Sequence, residues 1–210
     1  MSTRVKICGL TNATDRNLAI DAGADALGFI SGVPVETPRE LPISDVTTLA
    51  TDVPPFVTTV LVTAPETVAE AVSRYEQAQT DALQIHGSLS PDEIATVREQ
   101  VDATVIVAVG IDASDSTVDA YAASGDALLV DSAAMGGTGE THDWERTRTV
   151  RAELDTPLIL AGGLTPENVS EGIEQVAPFA VDVASGVERE GGKKDPEAVR
   201  AFIASAEVAG

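Results

Sequence analysis

The chain has 210 residues, of which 43% are apolar, enough for one domain with a sizeable core. Thirteen Lys and Arg stand against 34 Asp and Glu, a net charge of −21. A surface of that sign repels nucleic acid and anionic membranes, and the longest apolar runs are far too short to span a bilayer.

The opening residues MSTRVKICGL run straight into a strand pattern without a secretory apolar region. A single cysteine cannot form an intramolecular disulfide. Both features predict a cytoplasmic protein. The acidic residues gather in PETVAEAVSRYEQ, PDEIATVREQVD and SEGIEQV. That distribution fits work in molar salt, where charge repulsion is screened within about 3 Å at 1 M.

VKICG (5–9) is the first strand-like block, followed by NATDRNLAIDAG (12–23), which opens on cap residues and closes on glycine as a helix does. DALGFI (25–30) precedes PRELPISDVTTLATDVPP (38–55), whose prolines make it the weakest helix of the series. FVTTVLV (56–62) leads to PETVAEAVSRYEQA (65–78), and ALQIHG (82–87) leads to PDEIATVREQV (91–101). Both helices are expected to carry their proline in the first turn. TVIVAVG (104–110), ALLVDS (127–132), PLILAGG (157–163) and FAVDVASG (179–186) complete the strand blocks. Helical patterns follow each, at 114–125, 144–154, 165–177 and 195–208.

Short β-branched blocks of this length read as strands buried on both faces, and their alternation with helices predicts parallel βαβ units. Eight such units without a spare element favour an α/β fold, a single (β/α)8 TIM barrel over residues 1–210. An open doubly wound sheet has the same local pattern, but no GxGxxG follows the first strand.

In a barrel, functional groups gather at the C-terminal ends of the strands. Cys8 ends the first strand, with Lys6 two residues earlier on the same side. A neighbouring cation lowers a thiol pKa, so Cys8 reads either as a base or nucleophile or as a small buried apolar group. Asp131 ends the sixth strand, where a carboxyl needs a partner or a proton; it is either functional or a cap. His86 ends the fourth strand, either orienting a substrate or satisfied within the fold. Arg39, after the second strand, either holds a carboxylate or is a surface charge.

LAGGLTPENV and DVASGVE place Gly162, Gly163, Ser185 and Gly186 after the last two strands. Glycine turns there are a frequent phosphate cradle, although GG also occurs in ordinary tight turns. The glycine-rich stretch 132–144 reads as a lid or binding loop. With one cysteine and two histidines, a metal site is not expected.

KICGLT, GADALGFI, QIHG, LLVDS, GGTGETHDW, LAGGLTPENV and VDVASGVE followed by GGKKD resemble, in order, the motifs of the phosphoribosylanthranilate isomerase family. The resemblance runs from Val5 to about Ile203. It implies a (β/α)8 barrel without metal or organic cofactor that isomerises a small anionic phosphosugar in tryptophan biosynthesis. By position, it implies Cys8 as general base and Asp131 as general acid. It also implies Arg39 on the substrate carboxylate and the phosphate on backbone N–H groups around Gly162–Gly163 and Ser185–Gly186. Two segments depart from the family pattern: SGVPVETPREL around Arg39, and Glu140 where relatives often carry lysine. The alternatives are another phosphosugar-binding barrel, or a silent barrel that binds a phosphometabolite.

Overall fold

The computed structural model describes residues 3–87, 89–131 and 143–210. Eight parallel strands close into a barrel in sequence order: β1 (Arg4–Ile7), β2 (Ala26–Ile30), β3 (Thr58–Thr63), β4 (Ala82–His86), β5 (Thr104–Gly110), β6 (Ala127–Asp131), β7 (Leu158–Ala161) and β8 (Ala180–Val183). β1 pairs with β8 to shut the ring, with Lys6 opposite Asp182. The helices between them are α1 (Ala13–Ala22), α2 (Ile43–Thr51), α3 (Val68–Ala78), α4 (Pro91–Gln100), α5 (Asp115–Ser124), α6 (Trp144–Glu153) and α7 (Val169–Val176), with α8 (Pro196–Ala209) last. The barrel expected from the alternation is the fold observed, and the open sheet is excluded by the β1–β8 pairing.

The two faces of each strand build two cores. Outward residues such as Ile7, Phe29, Leu61, Leu83, Leu128 and Leu160 join the large cluster under the helices. Inward residues form a separate cluster of Cys8, Val60, Val62, Ala82, Ile106, Ala127, Leu129, Ile159, Ala161 and Ala180. This is the filled interior of a small barrel, in which alternate residues of every strand point to the axis.

Local signals set the helix ends. The Asn12 side chain accepts from the Asp15 N–H at 2.9 Å and starts α1. Ser90 and Glu93 form a reciprocal capping box on α4, whose Pro91 sits in the first turn as expected. The expectation for α3 was wrong. Pro65 precedes the helix, because Thr67 takes the cap position and accepts from the Glu70 N–H. In 38–55 the prolines bracket α2 instead of breaking it: Pro42 is the N-cap, and Pro54 and Pro55 follow the end.

One element has no counterpart in the strand pattern. After β8 the chain makes a 3-10 turn (Ser185–Val187) and a small antiparallel pair, β9 (Glu188–Glu190) with β10 (Lys193–Lys194). Among the described residues no helix is long and apolar enough to cross a membrane.

Candidate active site

Parallel strands carry their C-terminal ends to one mouth, which receives Cys8, His86, Asp131 and the loops after β7 and β8. Cys8 follows β1 directly; its backbone N–H donates to the Val183 carbonyl at 2.8 Å, fixing it against β8. Its side chain is buried in the interior cluster. Lys6 lies below on the same face, 3% exposed, with Nζ 2.9 Å from Asp182 Oδ1. Gly28 on β2 makes the room: a Cβ there would lie 2.7 Å from Cys8 Sγ and 3.1 Å from Lys6 Nζ.

Burial, helped by this pairing, reverses the expected direction of the Cys8 shift. Burial pushes the thiol above its ordinary value, and Lys6 only partly offsets it, because Asp182 opposes Lys6. The Lys6 ammonium stays charged: burial works against it, but Asp182 and Cys8 outweigh burial and raise its pKa. A long-range partner of Lys6 on β8 thus opposes the effect that the local motif predicts.

His86, at the end of β4, has Nε2 2.7 Å from the Gln84 amide nitrogen. With that nitrogen as donor, His86 Nε2 accepts and Nδ1 carries the proton. Burial and the nearby Lys6 hold its pKa down at about 4, so the ring is neutral at physiological pH. Gln84 Oε1 is buried without a partner among the described residues.

Asp131 closes β6 and lines a cavity of about 80 Å³ with Gly162, Gly163, Asp182, Ser185 and Gly186. Gly162 and Gly163 have φ of 87° and 66°, a conformation that side chains rarely adopt. A Cβ on Gly186 would sit 1.8 Å from the Leu164 carbonyl oxygen. The two glycine loops are thus pressed together beside Asp131. Among the described residues, none accepts from the backbone N–H of Gly163, Ser185 or Gly186. A larger cavity of about 540 Å³ lies at the opposite end, by the starts of β3 and β4, and contains none of the predicted site residues.

Arg39 reaches the same mouth, but with a partner that local sequence did not reveal. Its Nε and Nη2 donate to the two carboxylate oxygens of Glu188 at 2.9 and 2.7 Å. Glu188 also pairs with the buried Lys194 at 2.9 Å. Of the stretch 132–144 read as a lid, residues 132–142, with Glu140, lie outside the described residues, while Asp143 caps α6 and Trp144 begins it. Among the described residues no group of three or more His, Cys, Asp or Glu is placed to hold a metal ion.

Residues 5–205 match the family model described as N-(5'phosphoribosyl)anthranilate (PRA) isomerase. The chain is a member of the phosphoribosylanthranilate isomerase family. Proteins named N-(5'-phosphoribosyl)anthranilate isomerase from Haloarcula marismortui and Natronomonas pharaonis are 53% and 48% identical to it. These matches cover 99% and 97% of this chain, and 97% and 98% of the relatives. The crystal structure of the enzyme from Thermus thermophilus superposes with a TM-score of 0.86 at 33% identity, covering 97% of this chain and 98% of that one. A family structure in complex with reduced 1-(o-carboxyphenylamino)-1-deoxyribulose 5-phosphate superposes with a TM-score of 0.84 at 34% identity. It covers 98% of this chain and 99% of its own.

Proposed function

We propose that the chain converts N-(5′-phosphoribosyl)anthranilate to 1-(2-carboxyphenylamino)-1-deoxyribulose 5-phosphate. Asp131 donates its proton to the furanose ring oxygen. The C1–O bond breaks, and the anthranilate nitrogen supplies electrons to form an iminium. Cys8, as thiolate, removes the proton from sugar C2. The C2–H electrons flow toward the iminium nitrogen and give an enolamine, which tautomerises to the ketone. Each positioned acid or base supplies about 10²–10⁴-fold.

The observation that carries this reading is the shared mouth. Cys8 and Asp131 stand at the ends of β1 and β6, three strands apart round the ring, and Asp131 adjoins the two glycine loops. In that arrangement the phosphate rests on the N–H groups of Gly162, Gly163, Ser185 and Gly186. Arg39 takes the ring carboxylate, and neutral His86 offers a donor from Nδ1. The positive iminium next to Sγ favours the thiolate that burial disfavours. The reaction runs in the cytoplasm in this reading, with no metal, organic cofactor, nucleic acid or membrane taking part.

The test mixes purified protein with freshly made phosphoribosylanthranilate and follows the loss of anthranilate fluorescence. Cys8→Ala and Asp131→Asn are each expected to lower kcat by about 10²-fold or more while leaving the fold intact. Turnover by Cys8→Ala at the wild-type rate removes the base assignment. No turnover by folded wild-type protein removes the function.

A further inference from the structure

The β9–β10 pair is joined to three loops of the mouth. Thr11 Oγ1, after β1, donates to the Gly192 carbonyl at 2.7 Å. The Lys194 N–H donates to Asp15 Oδ2 at 3.0 Å. Gly191 and Gly192 approach Pro38, in the loop after β2, so closely that a Cβ on either would lie 2.7 or 2.5 Å from its atoms. The hairpin thereby ties the loops after β1 and β2 to the loop after β8, from which it grows.

A chain of charges runs through this junction. The Lys194 side chain is 0% exposed and that of Glu188 is 4% exposed. Lys194 Nζ donates to Glu188 Oε1 and to the Ala184 carbonyl, both at 2.9 Å. Glu188 in turn receives Arg39 in a bidentate pair, through Nε and Nη2. Burial works to raise the Glu188 carboxyl, but the hydrogen bonds from Arg39 and Lys194 prevail and hold it ionised, below its ordinary value.

Two of the five guanidinium donors are therefore committed to Glu188. The edge formed by Nη1 and the second Nη2 hydrogen has no acceptor among the described residues, and the Arg39 side chain keeps 24% exposure. A planar fork held along one edge presents its other edge in a fixed direction, ready for a second carboxylate. The same Lys194 ammonium fixes the Ala184 carbonyl, one residue before Ser185 of the glycine loop. One buried cation thus sets both the carboxylate-binding edge and the phosphate-binding loop.

We propose that Glu188 and Lys194 are positioning residues: they act through Arg39, holding its free edge at the barrel mouth for the substrate's ring carboxylate. The proposal rests on the reading of Arg39 given above. A purely electrostatic role predicts the opposite sign. Neutralising Glu188 would then remove a negative charge near an anionic ligand and tighten binding.

The test measures the affinity of two ligands: reduced 1-(o-carboxyphenylamino)-1-deoxyribulose 5-phosphate and the same compound without its ring carboxylate. Each is titrated into wild type, Glu188→Gln, Arg39→Gln and the double variant. Glu188→Gln is expected to weaken the carboxylated ligand about tenfold or more and the other by less than about twofold, with the double variant no weaker than Arg39→Gln alone. Equal losses for both ligands, additive losses in the double variant, or tighter binding by Glu188→Gln would each overturn the proposal. Glu188→Asp keeps the charge beside Lys194 but shortens the reach to Arg39, and carries the same comparison if the amide does not fold. A wild type that turns over substrate yet binds both ligands equally removes Arg39 and this proposal but leaves the isomerase. Absent turnover removes the function as well.

Discussion

Replacing Lys6 by methionine tests how the buried ion pair governs the proposed base. The group is close to the thiol: a Cβ built on Gly28 would lie 2.7 Å from Cys8 Sγ and 3.1 Å from Lys6 Nζ. The two atoms are therefore within about 6 Å of each other, and at an effective dielectric of about 20 a unit charge at that distance contributes roughly 3 kcal/mol. Asp182 is left uncompensated in the variant, which also pushes the thiol pKa up. The rising limb of kcat/KM against pH is expected to move to higher pH, with a loss of roughly 100-fold at neutral pH. Stopped assays from pH 6 upward with phosphoribosylanthranilate read this directly. Breaking a buried pair also costs about 3–5 kcal/mol of stability, so the melting temperature is followed in parallel. Lys6→Met/Asp182→Leu removes both charges and is expected to place its limb between those of wild type and the single variant. A limb that does not move in Lys6→Met, with folded protein, refutes the argument that Lys6 stabilises a thiolate base.

Two further outcomes follow from the charges. His86 titrates at about 4 in the fold and near 6.5 unfolded, so between those values the unfolded state binds more protons. Stability is therefore full above pH 6.5 and declines as pH falls toward 4, by about 3 kcal/mol from this group. Denaturant titrations at pH 4.5 and 7 should show His86→Gln losing less on acidification than wild type; equal losses refute the assignment. The excess of 34 acidic over 13 basic residues predicts a higher melting temperature in about 2 M KCl than in dilute buffer, and a KM that falls from low to moderate salt. A lower melting temperature in salt would discard the high-salt reading, and a flat or rising KM would discard the screening of substrate.

The barrel was legible because its strands carry their information locally. Leu128, Leu129 and Val130 are all within 1% exposure, so a strand buried on both faces appears as an unbroken apolar run. Cys8, His86 and Asp131 were visible for a related reason: each is a polar or reactive residue at the end of such a run. What escaped depends on residues far apart in the chain. Arg39 and Glu188 are 149 positions apart, and Lys6 and Asp182 are 176 apart. Nothing in KICG reveals how completely Cys8 is buried, or that Asp182 lies opposite Lys6 when β8 closes on β1, so the motif alone gave the thiol shift the wrong sign. The β9–β10 pair was hidden because ERE and KK have no apolar alternation for a strand pattern to catch. It is held instead through contacts of Lys194 and Glu188 with Asp15, Ala184 and Arg39.

These long-range pairs bear on how a chain of charge −21 can receive a ligand carrying both phosphate and carboxylate. Among the described cations at the mouth, Lys6 is paired with Asp182, while Arg39 and Lys194 share Glu188. The first group is neutral and the second keeps one positive charge. Neither is a patch of free cations like those that steer anions over long distances. In the proposed reading, recognition comes from short-range donors: backbone N–H groups of the two glycine loops for the phosphate and one free guanidinium edge for the carboxylate. Such donors act at direct contact, about 3 Å, with no room for solvent ions between donor and acceptor, so salt weakens them far less than it weakens long-range attraction. The same arrangement explains why the basic residues can be few. Lys6 and Lys194 are buried, where an ion pair is poorly screened, and the acidic surplus lies on exposed helices, where salt weakens its repulsion. In the proposed reading, a site built in this way keeps its affinity when salt has removed the long-range field, in line with the salt dependence of KM predicted above.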